Sequence, residues 1–220
     1  MPDIPRLHAK KKLIDSTGEK HTQTAFGVKI LSSQHKEIRQ LKRHEKAPSI
    51  HGNKFWGSSY LLMDFLQHNP PEKNYKILEL GCGWGLAGIH CAKYYQSTVV
   101  AVDADGAVFP YLHLHAEHNS VKIDTWEQRF EDIDLQHLED IDMIIASDVC
   151  FWDELSETLY RLIMRACEAG VSRIVITDPE RPPFFTLAER CMEEFYGELF
   201  EWKIDEPRRA SGCILLIENA

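Results

Sequence analysis

The residues whose types and spacing best suit chemistry lie in one stretch and one flanking strand: Glu79, Gly81, Gly83, Gly85, Gly88 and Asp103. The stretch LELGCGWGLAG, residues 78–88, carries two glycine patterns at once. Gly83, Gly85 and Gly88 spell G-x-G-x-x-G, which lets a dinucleotide pyrophosphate approach the backbone and a helix N-terminus. Glu79 with Gly81, Gly83 and Gly85 spells E-x-G-x-G-x-G, a spacing that suits S-adenosylmethionine (SAM). The first pattern implies hydride transfer and the second methyl transfer. A carboxylate at Glu79 repels a pyrophosphate but attracts the α-ammonium group of SAM, so the second is preferred. Whether Glu79 meets that group directly or through the loop amides stays open. Asp103 ends the next apolar run, where a carboxylate can accept both hydroxyls of a ribose in either cofactor.

These residues need a scaffold that brings strand ends together. From residue 75 the sequence alternates short apolar runs with helical patterns. YKILEL is followed by AGIHCAKYY, STVVAVDAD by a helix to about Asn119, and then comes VKIDTW. IDMIIASD precedes ELSETLYRLIMRACEAG, with Gly170 as its stop, and VSRIVITD precedes LAERCMEEFY. ELFEWKI and CILLIEN close the chain, separated only by DEPRRASG, a link too short for a parallel crossover. The expected fold is α/β: a doubly wound, mostly parallel seven-strand sheet whose last strand is antiparallel. Such a strand is not needed in a dinucleotide domain of the Rossmann type. Upstream, FGVKIL (26–31) reads as a strand pairing with the run ending at Leu13-Ile14, and SSQHKEIRQLKRHEK as a short helix. SSYLLMDFLQHNPP reads as a helix capped by Ser58 or Ser59 and stopped by Pro70-Pro71. The expected division is a basic N-terminal extension over 1–55 and a catalytic domain over 56–220.

Composition sets the outer bounds. The chain has 220 residues, 44% of them hydrophobic and 27% charged, enough for a full core. The sequence offers no membrane-spanning run and no apolar secretory leader. Its six cysteines form no C-x-x-C pair, so reduced thiols in a cytoplasmic protein are expected, with no metal. The net charge of −9 is uneven: residues 1–55 carry 12 Lys/Arg against 5 Asp/Glu. The acidic remainder disfavours nucleic acid as a partner, while the basic segment suits an acidic one or is a solvated arm.

On these motifs the chain resembles the class I, seven-strand SAM-dependent methyltransferases, over roughly residues 50–220. ILELGCGWG followed by VVAVDAD carries the resemblance. It implies that Gly81, Cys82, Gly83 and Gly85 wrap the methionine end of SAM, and that Asp103 and its neighbour Ala104 meet the ribose. EQRFEDID resembles the loop bracketing the adenine, giving Phe130 as the contact and Trp126 as its rival. A narrower resemblance, to the protein lysine methyltransferase subgroup of the methyltransferase-like 21 type, rests on KFWGSSYLLMDFL and SDVCF. It implies that Trp56 lies against SAM, that Ser147 offers backbone to the cofactor, and that Asp148 and Phe151 serve the acceptor. That subgroup tends to show Trp-Gly after the third strand, where this chain has Trp126-Glu127. The N-P-P-[YF] of many nucleobase and glutamine N-methyltransferases is missing, and SDVC stands in its place.

Transfer from a sulfonium is an in-line displacement, in which alignment of donor and acceptor supplies much of the acceleration. An amine acceptor must first lose its proton, and a dry aromatic slot lowers its pKa by desolvation. Trp56, Phe151 and Trp152 are candidates for its walls, and Asp148 for orienting the amine, unless Asp148 simply caps the helix that starts near Trp152. His113, His115 and His118 are read as polar surface residues rather than metal ligands, since 113 and 115 cannot share a helix face. TDPERPPFF is read as a loop fixed by its prolines. Cys82 has no evident base to make it a nucleophile. The expected function is SAM-dependent methylation of a protein side chain, lysine by resemblance. The alternatives are a small-molecule acceptor, a non-catalytic SAM-binding domain and a dinucleotide oxidoreductase. The sequence leaves the oligomeric state open.

Overall fold

The structure is a computed structural model that describes residues 20–48 and 56–219. It opens with an antiparallel hairpin, β1 (Thr22–Ala25) and β2 (Val28–Leu31), then α1 (Lys36–His44) and α2 (Gly57–His68). The alternating part follows: β3 (Lys76–Leu80), α3 (Leu86–Tyr95), β4 (Thr98–Asp103), α4 (Phe109–His118), β5 (Asp124–Glu127), α5 (Leu135–Leu138), β6 (Met143–Ser147), α6 (Asp153–Glu168), β7 (Arg173–Asp178) and α7 (Pro182–Phe195). β8 (Glu198–Ile204) and β9 (Ala210–Glu218) end it.

The seven strands β3 to β9 form one sheet in the order β5-β4-β3-β6-β7-β9-β8. β9 runs antiparallel to both β7 and β8, and the other neighbouring pairs are parallel. This is the expected architecture. The strand order reverses between β3 and β6, so the ligand crevice of a doubly wound sheet falls beyond their carboxyl ends. Alternation of side chains along β3 divides the core. Ile77 faces the layer of Leu61, Leu62, Leu66 and Ile89, and Leu78 and Leu80 face that of Leu159, Leu162 and Ile163. Each such side chain, fully buried, contributes about 1.5–3 kcal/mol.

Two upstream expectations and one strand boundary change. β2 pairs with residues 22–25, and the run at Leu13-Ile14 lies outside the described residues. Ser58 and Ser59 lie inside the first turn of α2, whose N-cap is Trp56, with no side-chain cap. β5 covers 124–127 rather than 121–126, because its register against β4 places Trp126 opposite Val102.

The hairpin is held by polar side chains of α4 and the residue after it. Asn119 accepts the Lys29 N–H at 2.8 Å and donates to the Lys29 carbonyl at 2.8 Å, standing in for a neighbouring strand. His115 is fully buried: its Nδ1 donates to the Tyr111 carbonyl, 2.7 Å away, and its Nε2 accepts the Leu31 N–H at 3.1 Å. Acceptance at Nε2 requires the neutral ring. Burial pushes its pKa down to about 4, against the bond to the Tyr111 carbonyl, which a charged ring would strengthen.

A histidine near 6.5 when unfolded and near 4 when folded stabilises the fold fully above pH 6.5 and progressively less as pH falls towards 4. His115→Gln lacks this titration. The stability advantage of the native chain over that variant, measured by denaturant titration, is expected to shrink steadily as pH is lowered from 7 to 5. An advantage constant over that range would contradict a neutral, buried His115.

Candidate active site

The turn after β3 is built from residues that accept left-handed backbone. Gly81, Gly83 and Gly85 have φ of 58°, 52° and 71°. A Cβ on Gly81 would come within 2.7 Å of Val149 Cγ1, and one on Gly85 within 2.6 Å of Leu112. A Cβ on Gly83 would meet nothing within 4 Å, so this glycine faces open space. The first contact brings the loop after β3 against the loop after β6, at the reversal of strand order.

Asp103, at the end of β4, fixes that turn. Its Oδ2 accepts the Gly83 N–H at 3.1 Å and its Oδ1 the Asp105 N–H at 3.0 Å. Burial raises its pKa, against the pull of those N–H groups. Ala104 beside it is exposed. Glu79 shares the face of Ile77, as alternation requires, and so points towards α3 rather than out along the strand. Burial drives its pKa up to about 8, opposed by the backbone N–H groups of Gly88 and Ala87 in the first turn of α3. Its Oε2 is buried without a hydrogen-bond partner. Cys82 spends its backbone on the fold, its N–H on Val102 and its carbonyl on the Gly85 N–H. Its buried thiol is pushed well above the usual range, first by desolvation and then by Glu79, so it is no nucleophile.

These residues fit a cationic sulfonium nucleoside. The open face at Gly83 admits a ligand, Asp103 keeps lone pairs for hydroxyls, and a Glu79 oxygen stands buried and unpartnered behind the turn. Of the two aromatic candidates, Phe130 is buried, and its Cζ lies 3.7 Å from where a Gly81 Cβ would stand. Its carbonyl, with that of Ile133, is held by Arg165. Trp126 packs instead on the His137 ring, with centroids 4.6 Å apart.

A second group forms where the ends of β6 and β7 meet the N-terminus of α2. Ser147 and Ser59 hydroxyls lie 2.9 Å apart. Asp148 has φ of 60°, and its N–H donates to the Thr177 carbonyl. Its carboxylate is almost fully buried: Oδ2 accepts the Ser58 N–H at 3.4 Å, and Oδ1 accepts Arg181 Nη2 at 2.6 Å. α6 begins with Trp152 as N-cap and no side-chain cap bond, so Asp148 is not the cap of that helix. It serves the start of α2 from 90 residues away. Phe151 meets the Trp56 ring edge-on at 5.8 Å, and exposed Trp152 lies 5.8 Å beyond.

Sequence reasoning passed over two members of this group. Asp178 ends β7, fully buried, and Arg181 follows in the segment read as a proline-fixed loop. Arg181 Nη1 donates to Asp178 Oδ2 at 2.8 Å and its N–H to Asp178 Oδ1 at 2.8 Å. Burial pushes Asp178 up to about 6, and Asp148 adds to this, while Arg181 opposes it. The available signal was the acidic residue at a strand end, as at Asp103. The three histidines diverge: His113 meets Thr125, His115 the hairpin and His118 Glu37. Among the described residues no His/Cys/Asp/Glu group is arranged to hold a metal ion.

Comparison with known proteins adds a family. A family model described as "Lysine methyltransferase" matches residues 35–190. The electron transfer flavoprotein beta subunit lysine methyltransferase of Xenopus laevis is 25% identical over 158 residues, covering 65% of this chain and 63% of that protein. The calmodulin-lysine N-methyltransferase of Arabidopsis thaliana is 30% identical over 135 residues, covering 57% of this chain and 44% of that protein. The chain thus spans less than two thirds of the length of these relatives. Among solved structures, a precorrin-6y C5,15-methyltransferase from Geobacter metallireducens superposes with a TM-score of 0.57 at 12% identity, over 74% of this chain and 87% of that one. The precorrin 8W decarboxylase of Methanobacterium thermoautotrophicum gives 0.55 at 17%, over 73% and 89%. At such identities the likeness shows the fold.

The two glycines separate binding from folding. Gly83→Ala places a methyl in the open space and costs about 1–2 kcal/mol of backbone strain. It is expected to unfold within a few degrees of the native chain yet to lose SAM binding by calorimetry. Gly85→Ala adds a collision with Leu112 to the same strain and is expected to lower the unfolding midpoint markedly more. Normal SAM affinity in Gly83→Ala would place the ligand elsewhere.

Proposed function

The chain belongs to the lysine methyltransferase family, and from that premise we propose that it methylates the side-chain amine of a lysine on a protein, using SAM as donor. The observation that carries the reading is the close approach of Gly81 to Val149. It sets the glycine loop, where the donor would lie, directly against the loop bearing Asp148 and Phe151. The named relatives modify lysines of proteins, and the seven-strand architecture is the one expected for SAM-dependent transfer. Bound SAM would supply an electrophilic methyl on sulfur, whose transfer breaks a sulfur–carbon bond and makes a nitrogen–carbon bond to the acceptor.

The protein's own part is to bind, orient and dry the reactants. Gly83 gives backbone access, Gly81 lets the loop pack against Val149, Asp103 takes the ribose hydroxyls, and Phe130, beside the glycine loop, is assigned the adenine in preference to Trp126. Trp56, Ser147 and Ala104 border this space. On the acceptor side, Trp56 and Phe151 form a half-buried aromatic edge against which an entering side chain loses water and the sulfonium is favoured. Desolvation there lowers the pKa of a lysine amine from about 10.4, releasing its proton to solvent before transfer. Asp148 accepts a hydrogen bond from that amine and fixes its direction. The inert Cys82 thiol agrees with direct transfer rather than a covalent intermediate on the chain. The six free thiols, five of them buried, suit a reducing compartment, and we place the chain in the cytoplasm.

The direct experiment incubates the chain with methyl-labelled SAM and a cell extract, then locates the label in proteins by mass spectrometry. Label on lysine supports the reading, and label confined to small molecules overturns it. Asp148→Asn tests the acceptor site. It keeps the shape but removes the charge opposite Arg181, and is expected to lower kcat/KM roughly 10²-fold with SAM affinity changed less than about threefold. Near-native turnover in that variant would remove Asp148 from the acceptor site.

A further inference from the structure

Arg181 plays no part in the reading above, yet it touches both residues which that reading places at the acceptor. Nη2 meets Asp148 Oδ1 at 2.6 Å, and the guanidinium carbon lies 4.6 Å from the centre of the Phe151 ring. Its other edge is held by Asp178, which is completely buried and accepts both Nη1 and the backbone N–H of Arg181. The guanidinium therefore spans the ends of β6 and β7, which are neighbours in the sheet.

We propose that Arg181 is the positioning residue of the acceptor site, a clamp that fixes Asp148 and Phe151 in one geometry and leaves a single oxygen of Asp148 for the acceptor amine. The inference rests on the methyl-transfer reading for its chemistry, but the clamp itself stands on contacts. Asp148 Oδ1 is taken by Arg181. Oδ2 has only the Ser58 N–H at 3.4 Å, a long bond, so it retains capacity to accept another hydrogen bond. A planar guanidinium suits this place because its fork reaches two carboxylates while its face lies on an aromatic ring. A lysine ammonium has no such face and no fixed fork.

The backbone is consistent with a geometry held from outside. Asp148 and Glu180, the residue before Arg181, have φ of 60° and 72°, values that non-glycine residues adopt at a cost. One arginine also stands between two buried carboxylates. With both ionised the group carries one net negative charge, which attracts a cationic acceptor and repels an anionic one.

The test uses the full chain with Arg181→Ala and Arg181→Lys, first checked for folding by circular dichroism. Three quantities are read: SAM affinity by calorimetry, transfer of labelled methyl from SAM into extract proteins, and the titration of Asp178 by carbon-detected NMR. In Arg181→Ala, SAM affinity is expected to stay within about threefold while transfer falls at least roughly 50-fold. Methylguanidinium ion should restore transfer, whereas methylammonium at the same concentration should not. Arg181→Lys should remain impaired, and the Asp178 midpoint should rise in Arg181→Ala. Transfer near the native level, equal rescue by both ions, or loss of SAM affinity in step with transfer would each overturn the clamp. If Arg181→Ala fails to fold, the lysine variant decides: native transfer there overturns the proposal and impaired transfer with unchanged SAM affinity supports it. If the native chain labels no protein, the lysine reading falls instead. The clamp is then decided by NMR, and an Asp178 midpoint unmoved by removing Arg181 overturns it.

Discussion

Where parallel strands turn into helices, the backbone N–H groups of the turn have left one ladder without entering the next. In this fold, acidic side chains at or just after strand ends answer that need. Asp103 takes the N–H groups of Gly83 and Asp105, Asp148 that of Ser58, and Asp178 that of Arg181. Glu79 lies against the first amides of α3. Two of these bonds reach beyond the next turn. Asp103, on β4, holds the loop after β3, and Asp148, after β6, holds the start of α2. The carboxylates thus tie separate turns into one surface, the surface on which the proposed donor and acceptor sites lie.

Gathering carboxylates at a buried edge has an electrostatic consequence. Desolvation raises Glu79 to about 8 and Asp178 to about 6, and raises Asp103 as well. A group of this kind binds anions poorly and is stabilised by any cation that enters it. An edge of this kind suits the cationic donor of the proposed transfer better than an anion. Raised to about 8, Glu79 is largely protonated at neutral pH, so it sets little charge against a pyrophosphate and works through the helix amides instead. Arg181 offsets part of this charge on the acceptor side, where Asp148 and Asp178 stand on adjacent strands.

The sheet was legible in the sequence because its signals are local. Short apolar runs, glycine at helix ends and a link too short for a crossover each constrain a few consecutive residues. The glycine turn of the candidate donor site was legible for the same reason, since its glycines and two carboxylates lie within one strand–turn–helix–strand unit. What could not be read were contacts between distant segments. Ser58 looks like a cap, but the side chain facing that helix start comes from Asp148. Asp148 looks like the cap of the next helix, but Arg181, 33 residues on, holds it instead. Trp126 and Phe130 are equivalent as sequence, and only the register of β5 turns one towards His137 and leaves the other beside the glycine loop.

Trp84 shows how far such a contact can reach. It stands between Gly83 and Gly85, yet its side chain is buried away from the open face. Its ring stacks on Tyr111 at 5.1 Å with planes 6° apart, borders His115 at 5.5 Å, and belongs to a small core with Leu31 and Ile38. The left-handed glycines on either side let the chain turn so that Trp84 points inward while Gly83 faces out. His115, against which it packs, is also the acceptor for the Leu31 amide. Residues 20–48, whose basic composition reads as an appended arm, are thereby packed onto the back of the glycine loop. The family match, which begins at residue 35, starts within this segment. A close-packed cluster transmits displacement because its members have little room to move separately. The position of the glycine loop is therefore set from two sides, by Asp103 in front and by the N-terminal hairpin and helix behind.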